Sequence, residues 1–543
     1  MKPEKTIFIL GSLAIFLSLI PFFLNYLLPV VPGRVNPHWD NWPYDFNYYR
    51  SIIVQGKSGR LTTLDKYTSE NQSGKFLRIG YIIIGHLARI FNLDETIVYH
   101  IARVVLGTIF VYLTYLFIKT NFYENKFKKI IVLAFLLSLF CAGYPTIDCH
   151  QKCRLIPRLW SMTQLDPIRR ITFLPHFLLG QIAFITTLLA ISFEEKNNLL
   201  KAVLMGIFLG LAGLDHPSSL LLFYPVIGLF FIVGLKKKIL ETSLMKKIII
   251  IFLATLPFVF YLFWATSIFP WNLSRQAVYP LDGGLINFAL AAGPAFIIGL
   301  LMSIYILLSP RRKEVVLNLT ASWLLTTVLL TFIKFPGESF SQARFLQVGF
   351  HIPGAILTAY FVFLVFRNKE KNVLKIKTLV LKFIMILIFL AVLPTLIYLY
   401  YDQLDYTIYF AKTSLSYIPY PPVIDYPPLD WMKGIFWLKD NTKSDEIVLS
   451  DFTAGNFIPA YAGNTVFYGH EIETYNSAVK KQAVINFFSS NDPINQKNFL
   501  IKNRIKYIFF GPQERAYRQK ELIIDNLKPV YTNPLVTIYK VMD

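Results

Sequence analysis

The chain has 543 residues, of which 54% are hydrophobic and only 16% are charged, and its mean hydropathy is +0.47. A soluble protein cannot hide that much apolar surface, so the composition excludes a soluble protein and predicts an integral membrane protein. The net charge of +21 would indicate a nucleic-acid partner in a soluble chain. In a membrane protein, a positive net charge indicates that basic cytoplasmic loops lie close to anionic lipid headgroups. We therefore expect membrane lipid, and no nucleic acid, as a partner.

Runs of apolar residues long enough to cross a bilayer predict about eleven transmembrane helices. They lie near 6–30, 97–119, 128–144, 171–193, 198–214, 219–235, 248–268, 285–308, 316–334, 347–366 and 377–401. The first run follows the short basic sequence "MKPEK" and has no small-residue cleavage site, which is typical of an anchor rather than a signal peptide. The pattern indicates neither two similar halves nor the broken helices of many transporters.

The charges of the loops predict the orientation of the chain in the membrane. With Met1 inside, the inner loops contain "ENKFKK", "EEKNNLLK", "GLKKKILETSLMKK", "PRRKE" and "RNKEKNVLKIK", which are all rich in lysine or arginine. The outer loops around 269–284 and 335–346 hold one arginine each, Arg275 and Arg344. By the positive-inside rule we expect a cytoplasmic N-terminus in a cell membrane.

The apolar segment 76–91 would reverse this orientation if it crossed the membrane. We expect it instead to form an amphipathic helix on the outer surface, with Arg78, His86 and Arg89 off its apolar face. The first outer loop, 31–96, would then be long and partly helical.

The composition changes after Tyr401. Strand-like runs such as "EIVLSDF", "NTVFYG" and "IKYIFFG" alternate there with helical stretches such as "DWMKGIFWLKDNT". The sequence therefore predicts a transmembrane domain over 1–401 and a soluble, extracytoplasmic α/β domain over 402–543.

This topology collects ionisable residues from distant parts of the chain at the outer membrane surface. They are Asp40, Asp45, Asp148, Asp166, Arg169, Arg170, His176, Asp215, His216, Glu338 and Arg344. Because ionisable groups at membrane depth face a cavity or one another, we expect an outward-facing cavity. Its acids suit proton or metal chemistry, its arginines suit a phosphate, and the apolar helices around it suit a lipid tail.

Several of these residues have a structural alternative. Asp166, which precedes Pro167, and Asp215 are also typical helix N-caps. Arg169 and Arg170 could anchor the chain at lipid headgroups, and His176 could be a hydrogen-bonded core residue. Asp45 lies in the aromatic stretch "HWDNWPYDFNYYRS", where a purely solvated acid is least expected.

The three cysteines, Cys141, Cys149 and Cys153, are odd in number, so no closed disulfide framework is implied. The stretch "CHQKC" has no second pair of ligands, which argues against a metal site there.

An acid before aromatics in the first outer loop, many spans and an outer α/β tail together resemble the GT-C membrane glycosyltransferases, which use sugars carried on polyprenyl phosphate or pyrophosphate. "YDFNYYR" is similar to a stretch of oligosaccharyltransferase catalytic subunits. The resemblance implies that Asp45 is the catalytic aspartate, that Asp166 and Glu338 are the acids of the second and fifth outer loops, and that Arg344 holds the donor phosphate.

The tail departs from that resemblance at one motif. An oligosaccharyltransferase has Trp-Trp-Asp-Tyr-Gly after the strand, where this chain has Ser450, Asp451, Phe452, Thr453, Ala454 and Gly455. The tryptophan pair that reads an asparagine sequon is missing. This indicates sugar transfer to an acceptor other than that sequon.

The sequence therefore predicts a glycosyltransferase that moves a sugar from a lipid-linked donor to a glycan, lipid or protein acceptor on the outer face, with inversion at the anomeric carbon. Asp45 would act as general base. If a divalent ion such as Mg or Mn is used, Asp45, Asp166 and Glu338 are its expected ligands. Arg344, with Arg169 or Arg170, would neutralise the departing phosphate.

Asp40, Asp215, His216 and His176 are further candidates for this site. A transporter or flippase of a lipid-linked or anionic solute is the alternative function, and a scaffold whose tail binds a partner is a third. The outer domain argues against the former, and the acids of the first loop argue against the latter.

Overall fold

The protein is described by a computed structural model that covers residues 3–40, 42–122, 128–149, 153–159, 162–193, 199–275, 284–333, 342–367, 383, 386–412, 426–518 and 521–542. The chain forms two compact units that interleave along the sequence. The first unit comprises Met1–Ile20, Ala102–Leu262 and Val278–Leu404. The second comprises Pro21–Ile101, Phe263–Ala277 and Asp405–Asp543.

Helices dominate the described part of the chain before residue 413. In order they are α1 (Pro3–Leu27), α2 (Pro43–Lys57), α3 (Ile79–Ile90), α4 (Glu95–Asn121), α5 (Lys128–Phe140), α6 (Pro175–Ser192), α7 (Leu199–Asp215), α8 (Pro217–Lys237), α9 (Thr242–Ala265), α10 (Gly284–Ala292), α11 (Pro294–Leu308), α12 (Val315–Phe332), α13 (His351–Arg367) and a further helix, Leu393–Lys412.

Among the described residues, 7 helices are long and apolar enough to cross a membrane, or 8 if one bent pair counts as a single span. Several of them expose most of their apolar surface: only 28% of the apolar window of Glu4–Leu27 is buried inside the protein, against 72% for Pro175–Ser192. Such surfaces are stable only against lipid. The predicted class, a polytopic α-helical membrane protein, is confirmed, whereas the count of about eleven spans stays a prediction.

The predicted span near 285–308 is not one straight helix. Helices α10 and α11 meet at an angle of 115°. Gly293, between them, has φ +82°, and a Cβ at this position would lie 2.1 Å from the Ala142 carbonyl oxygen. Only glycine fits so close an approach in the left-handed region, and Pro294 then begins a new helix. The expectation that no helix is broken was therefore wrong.

A pair of short strands follows α5 in the first unit. β1 (Pro145–Asp148) and β2 (Arg154–Pro157) pair antiparallel, with Ile147 opposite Leu155. A disulfide between Cys149 and Cys153 closes the loop that joins them, and Cys141 is a free thiol. Two of the three cysteines thus pair, which the odd count alone did not indicate.

In the second unit, the segment expected to lie along the membrane surface is helical as α3. This helix has 12 residues, too few to cross a bilayer, which needs about 20. One face is buried, whereas Ile83, Leu87 and Ile90 are exposed. Arg78 precedes the helix as its N-cap, with φ 57°.

The tail of the second unit is an α/β fold, as predicted. Five strands, β3 (Ile447–Leu449), β4 (Thr465–Val466), β5 (Ile505–Phe510), β6 (Leu527–Thr532) and β7 (Thr537–Val541), form a sheet in the order β4-β3-β5-β7-β6. β3 pairs parallel with β4 and β5, whereas β7 runs antiparallel to β5 and β6. The helices of the tail are Leu429–Asn441, Phe452–Tyr461, Ser477–Ser489, Pro493–Lys502 and Pro512–Tyr517.

Candidate functional site

Asp45 lies in the first turn of α2, in the second unit. Pro43 favours the start of this helix because its ring presets φ and it has no N–H to lose. The side chain of Asp45 is 49% exposed, yet the flanking residues Tyr44 and Phe46 are buried. The carboxylate thus lies in a recess, where burial among the surrounding groups raises its pKa to about 6 against the opposing charge of Arg78.

His470 is an ionisable neighbour of Asp45. Its Nε2 lies 4.0 Å from Oδ1 of Asp45, and its side chain is 7% exposed. The backbone N–H groups of Ile472 and Glu473 both donate to Nδ1, at 3.1 and 3.2 Å. Burial lowers the pKa of His470 to about 4, so the ring is neutral at pH 7.

The ring of His470 is fixed on several sides. Its centroid lies 5.9 Å from that of Tyr48 and 5.5 Å from that of Tyr67. Its backbone N–H donates to the hydroxyl of Thr474, which in turn donates to the Tyr67 carbonyl.

The residue before His470, Gly469, lies against the helix Phe452–Tyr461. A Cβ on Gly469 would lie 2.2 Å from the Gly455 carbonyl oxygen. Both positions therefore require glycine, and the backbone that carries His470 packs directly on the helix.

α2 is tied to the same helix by a buried polar network. Asn47 donates to the side-chain oxygen of Asn456 at 2.8 Å. The Arg50 guanidinium donates to Glu95 at 2.8 Å and to the Ala460 carbonyl, and it stacks on the ring of Tyr461 at 4.0 Å. The segment between α1 and α4 and the tail thus form one packed body around Asp45 within the second unit.

Asp166 belongs to the first unit and is buried, with 4% exposure. Its Oδ1 accepts the backbone N–H groups of Ile168 and Arg169, at 2.9 and 3.1 Å. Its Oδ2 accepts from the side chain of Gln403 at 2.6 Å. The capping interpretation of Asp166 thus describes its contacts, and its predicted catalytic role stays a prediction.

The two neighbouring arginines differ in their surroundings. Arg169 is partly exposed, and its Nε lies 3.9 Å from Oδ2 of Asp166. Arg170 is 5% exposed and donates to the Ser138 carbonyl at 2.8 Å. Among the described residues, the Nε of Arg170 has no hydrogen-bond partner.

Arg170 borders a small cavity, with room for about one water molecule, which Cys141, Phe350 and His351 also line. The unused donor of this buried cation is suited to one oxygen atom of an anion, because only an ion of opposite charge offsets its desolvation.

A second group of the predicted residues meets in the first unit. His176, in the first turn of α6, and His216, the N-cap of α8, have ring centroids 6.1 Å apart. The side-chain oxygen of Gln347 lies 3.4 Å from Nε2 of His216, and the Gln347 carbonyl accepts from Gln181 at 2.7 Å. These contacts join α6 and α8 to the turn Gln342–Gln347.

Arg344 is half-buried in that turn. Asp215 is fully buried as the last residue of α7, so it does not cap α8. Asp40 is half-buried in the second unit. Glu338 lies outside the described residues.

The predicted ligands of a divalent ion are Asp45, Asp166 and Glu338, of which Glu338 lies outside the described residues. Within the described ranges, no three His, Cys, Asp or Glu side chains are grouped as ligands of one ion. Both carboxylate oxygens of Asp166 are occupied by donors of the protein. Each carboxylate oxygen has two lone pairs and Oδ2 accepts one hydrogen bond, so the metal-ligand role of Asp166 stays a prediction.

Reasoning from the sequence did not select His470. The signal lay in "NTVFYGHE", where a histidine closely follows a strand of a parallel pair. The carboxyl ends of parallel strands are common positions for binding residues. Nor did the sequence indicate that Cys141 and His351 would line a cavity with Arg170.

No protein-family model and no curated protein matches the sequence. Solved structures do share its fold. The oligosaccharyltransferase of Archaeoglobus fulgidus, tethered with an acceptor peptide that contains an NVT sequon, superposes with a TM-score of 0.56 at 14% identity, over 93% of this chain and 69% of that chain. The same enzyme in complex with Zn and sulfate gives 0.52 at 14% identity, over 92% and 67%.

ArnT from Cupriavidus metallidurans, bound to undecaprenyl phosphate, gives a TM-score of 0.50 at 10% identity over 98% of this chain and 97% of that chain. These likenesses span nearly the whole chain. They confirm the predicted fold, in which a polytopic helical domain precedes a C-terminal sheet domain.

Proposed function

We propose that this protein is a GT-C membrane glycosyltransferase that moves a sugar from a polyprenyl-phosphate or polyprenyl-pyrophosphate donor to an acceptor on the outer face of the membrane. The observation that carries the proposal is the recess around Asp45, within a fold shared with enzymes crystallised with undecaprenyl phosphate and with an acceptor peptide.

Asp45 is the general base of this proposal. Its carboxylate accepts the proton of the acceptor as the acceptor atom bonds to the anomeric carbon. The bond from that carbon to the phosphate oxygen breaks, and its electron pair leaves with the phosphate, so the configuration inverts. A pKa near 6 suits the role, because such a carboxylate is ionised at pH 7 yet basic enough to take a proton.

Arg170 is the principal contact of the donor phosphate. Its buried guanidinium has an unused Nε donor, which a phosphate oxygen would satisfy. Arg169 and Arg344 are the other arginines of the first unit proposed to contact the phosphate. They would stabilise the negative charge that grows on the leaving group.

The acceptor differs from an asparagine sequon. Asp451, which follows the strand where the sequon-reading motif would stand, accepts from the N–H of Phe452 at 2.7 Å and from the hydroxyl of Tyr517 at 3.2 Å. It caps the helix Phe452–Tyr461 and the tryptophan pair is absent, so this corner of the tail is filled by the protein itself.

The disulfide between Cys149 and Cys153 supports the predicted orientation. Disulfides persist in oxidising compartments, so the hairpin of β1 and β2 is expected on the outer side. The N-terminus would then be cytoplasmic and the tail extracytoplasmic.

One feature of the structure favours the transporter alternative: the bend between α10 and α11, because broken helices are common in transporters. One of the solved structures of similar fold is an oligosaccharyltransferase, and a bound lipid-phosphate tail also needs room between helices. We therefore keep transfer as the proposed function.

The test is to incubate the purified protein with polyprenyl-phosphate sugars and analyse the products by mass spectrometry. We expect a released polyprenyl phosphate and a new glycoside. Addition of EDTA, followed by Mg or Mn, measures whether a divalent ion is needed. Movement of intact donor between the leaflets of a liposome, without any released polyprenyl phosphate, would favour the transporter.

A further inference from the structure

The distance between the side chains of Asp45 and His470 is the one expected if both form a hydrogen bond to the same third oxygen atom. Nε2 of His470 and Oδ1 of Asp45 lie 4.0 Å apart, which is too far for a direct hydrogen bond. Two hydrogen bonds of about 2.8 Å that meet at one oxygen at roughly a right angle span about this distance.

The two groups also have opposite hydrogen-bonding characters. Because two backbone N–H groups donate to Nδ1 of His470, that nitrogen is the acceptor and the ring proton resides on Nε2. Nε2–H is therefore a fixed donor, and it has no partner among the described residues. The Asp45 carboxylate, when ionised, is only an acceptor.

A buried donor without a protein partner is rare and requires a partner from outside the chain, either a water or a ligand atom. The side chain of His470 is more than nine-tenths buried and faces the half-exposed Asp45. The packing of its ring against Tyr48 and Tyr67 and the contact of Gly469 with Gly455 hold it there.

We propose that His470 and Asp45 together bind the reactive hydroxyl of the acceptor, so that the acceptor is an alcohol rather than an amide. This inference rests on the proposed function. The hydroxyl donates its proton to Oδ1 of Asp45 and accepts the Nε2–H of His470 with one lone pair. Its second lone pair faces the anomeric carbon of the donor sugar.

A carboxamide nitrogen cannot replace the hydroxyl in this arrangement. It can donate to Asp45, but its lone pair is delocalised into the carbonyl group, so it cannot accept the ring N–H. The N–H of His470 would stay unsatisfied. Sites built around such polar pairs reject an analogue that leaves them unpaired.

The reaction balances without another reagent. The hydroxyl oxygen forms a bond to the anomeric carbon while its proton moves to Asp45. The bond between that carbon and the donor phosphate breaks, and the phosphate leaves with the electron pair. His470 stays neutral throughout, so it is a positioning residue that orients the nucleophile by a hydrogen bond.

The experiment uses the full-length protein, a polyprenyl-phosphate sugar and a panel of acceptors: an alkyl glycoside, a polyprenol, a serine- and threonine-containing peptide, an asparagine-sequon peptide and water. We expect transfer only to hydroxyl groups, water included. His470→Leu should raise the acceptor KM and lower kcat/KM for the acceptor about 10- to 100-fold, while the donor KM stays within about twofold.

His470→Gln keeps a side-chain N–H and should recover much of the loss, which a purely structural role of the ring would not predict. His86→Leu removes another histidine of the second unit and is the matched control for histidine replacement. The melting temperatures of all variants are compared so that unfolding is recognised.

Transfer to the sequon amide would overturn the inference and leave the glycosyltransferase proposal intact. Unchanged acceptor kinetics in His470→Leu would also overturn the inference and leave the glycosyltransferase proposal intact. Absence of any sugar release from the donor, with every acceptor and with water, would instead overturn the proposed function and the inference with it.

Discussion

Arg50 and Glu95 form a buried ion pair in which the guanidinium and carboxylate atoms are 2.8 Å apart and the two side chains are 6% and 7% exposed. The pair joins α2 to the start of α4 within the second unit, and Lys57 approaches the same carboxylate at 2.9 Å. Arg50 follows Asp45 by little more than one helical turn, so this pair determines where the first turn of α2 lies.

Replacement of Arg50 by alanine should destabilise the protein strongly. It leaves the Glu95 carboxylate buried with less compensation and removes the stacking on Tyr461, and breaking a buried pair costs about 3–5 kcal/mol. The measurement is thermal unfolding of the purified protein in detergent. Arg89→Ala, at an exposed position of α3, is the control and should change little; equal losses in the two variants would contradict the structural role given to Arg50.

Asp45→Asn should lower turnover about 10²–10⁴-fold, because the amide keeps the size of the side chain but loses its charge and basicity. Donor affinity should survive, since the proposed phosphate contacts are arginines elsewhere in the chain. Asp40→Asn is the matched change in the same loop and should cost much less. Turnover and donor KM are compared between variants of equal melting temperature. If Asp45→Asn turns over like the wild type, Asp45 is not the general base.

Arg170→Gln should weaken donor binding about 10- to 100-fold, because charge-assisted hydrogen bonds contribute about 1.5–3 kcal/mol. Arg169→Gln, at the partly exposed neighbour, should have a smaller effect. The binding of a polyprenyl phosphate to both variants is measured by titration. If Arg169→Gln weakens this binding more than Arg170→Gln does, Arg170 is not the principal contact of the phosphate.

The buried carboxyl group of Glu514 should make the stability of the protein depend on pH. It is 1% exposed, and burial together with the nearby Asp451 carboxylate raises its pKa from 4.5 to about 7, against two backbone N–H donors. Between these values the folded protein keeps a proton that the unfolded chain has released, so the contribution of Glu514 to stability falls as the pH rises from 4.5 through 7. At full ionisation this penalty is about 3 kcal/mol.

Glu514→Gln removes that titration while keeping the shape of the side chain. The melting temperature of the variant relative to wild type should therefore be higher at pH 8 than at pH 5. A difference that is the same at both pH values would show that Glu514 titrates normally in the fold.

The proposed orientation is tested with cysteines at exposed lysines. Lys439→Cys, in the tail, should react in intact cells with a thiol reagent that does not cross membranes, and Lys236→Cys, at the end of α8, should not. The unsubstituted protein gives the background from Cys141. The reverse labelling pattern would place the tail and Asp45 in the cytoplasm.

The sequence was most informative where one physical rule dominates. Apolar length predicted the membrane helices, the shortness of the apolar run around Tyr81 agreed with a helix that does not cross the membrane, and strand-like runs predicted the sheet of the tail. Asp45 was recognisable because an acid among aromatic rings has few structural reasons to be there. Its role in catalysis remains a prediction.

Other features depend on contacts between distant segments, which no local pattern reveals. The second oxygen of Asp166 is bonded to Gln403, and His470 faces Asp45 only because the tail packs on α2. The bend at Gly293 had a local signal, the dipeptide Gly293–Pro294, which a strongly apolar context concealed.

The second unit is assembled from three separated stretches of the chain, and this sets an order of events during synthesis. Lys66 and Tyr67, in the loop between α2 and α3, donate hydrogen bonds to the backbone carbonyls of Ser444 and Asn456 in the tail, and the backbone N–H of Val466 donates to the Lys66 carbonyl. The loop leaves the ribosome long before these partners exist. Its lysines and tyrosines, which are buried in the folded protein, stay exposed to water until the last quarter of the polypeptide has emerged. A prematurely terminated chain would therefore insert into the membrane without completing the surroundings of Asp45.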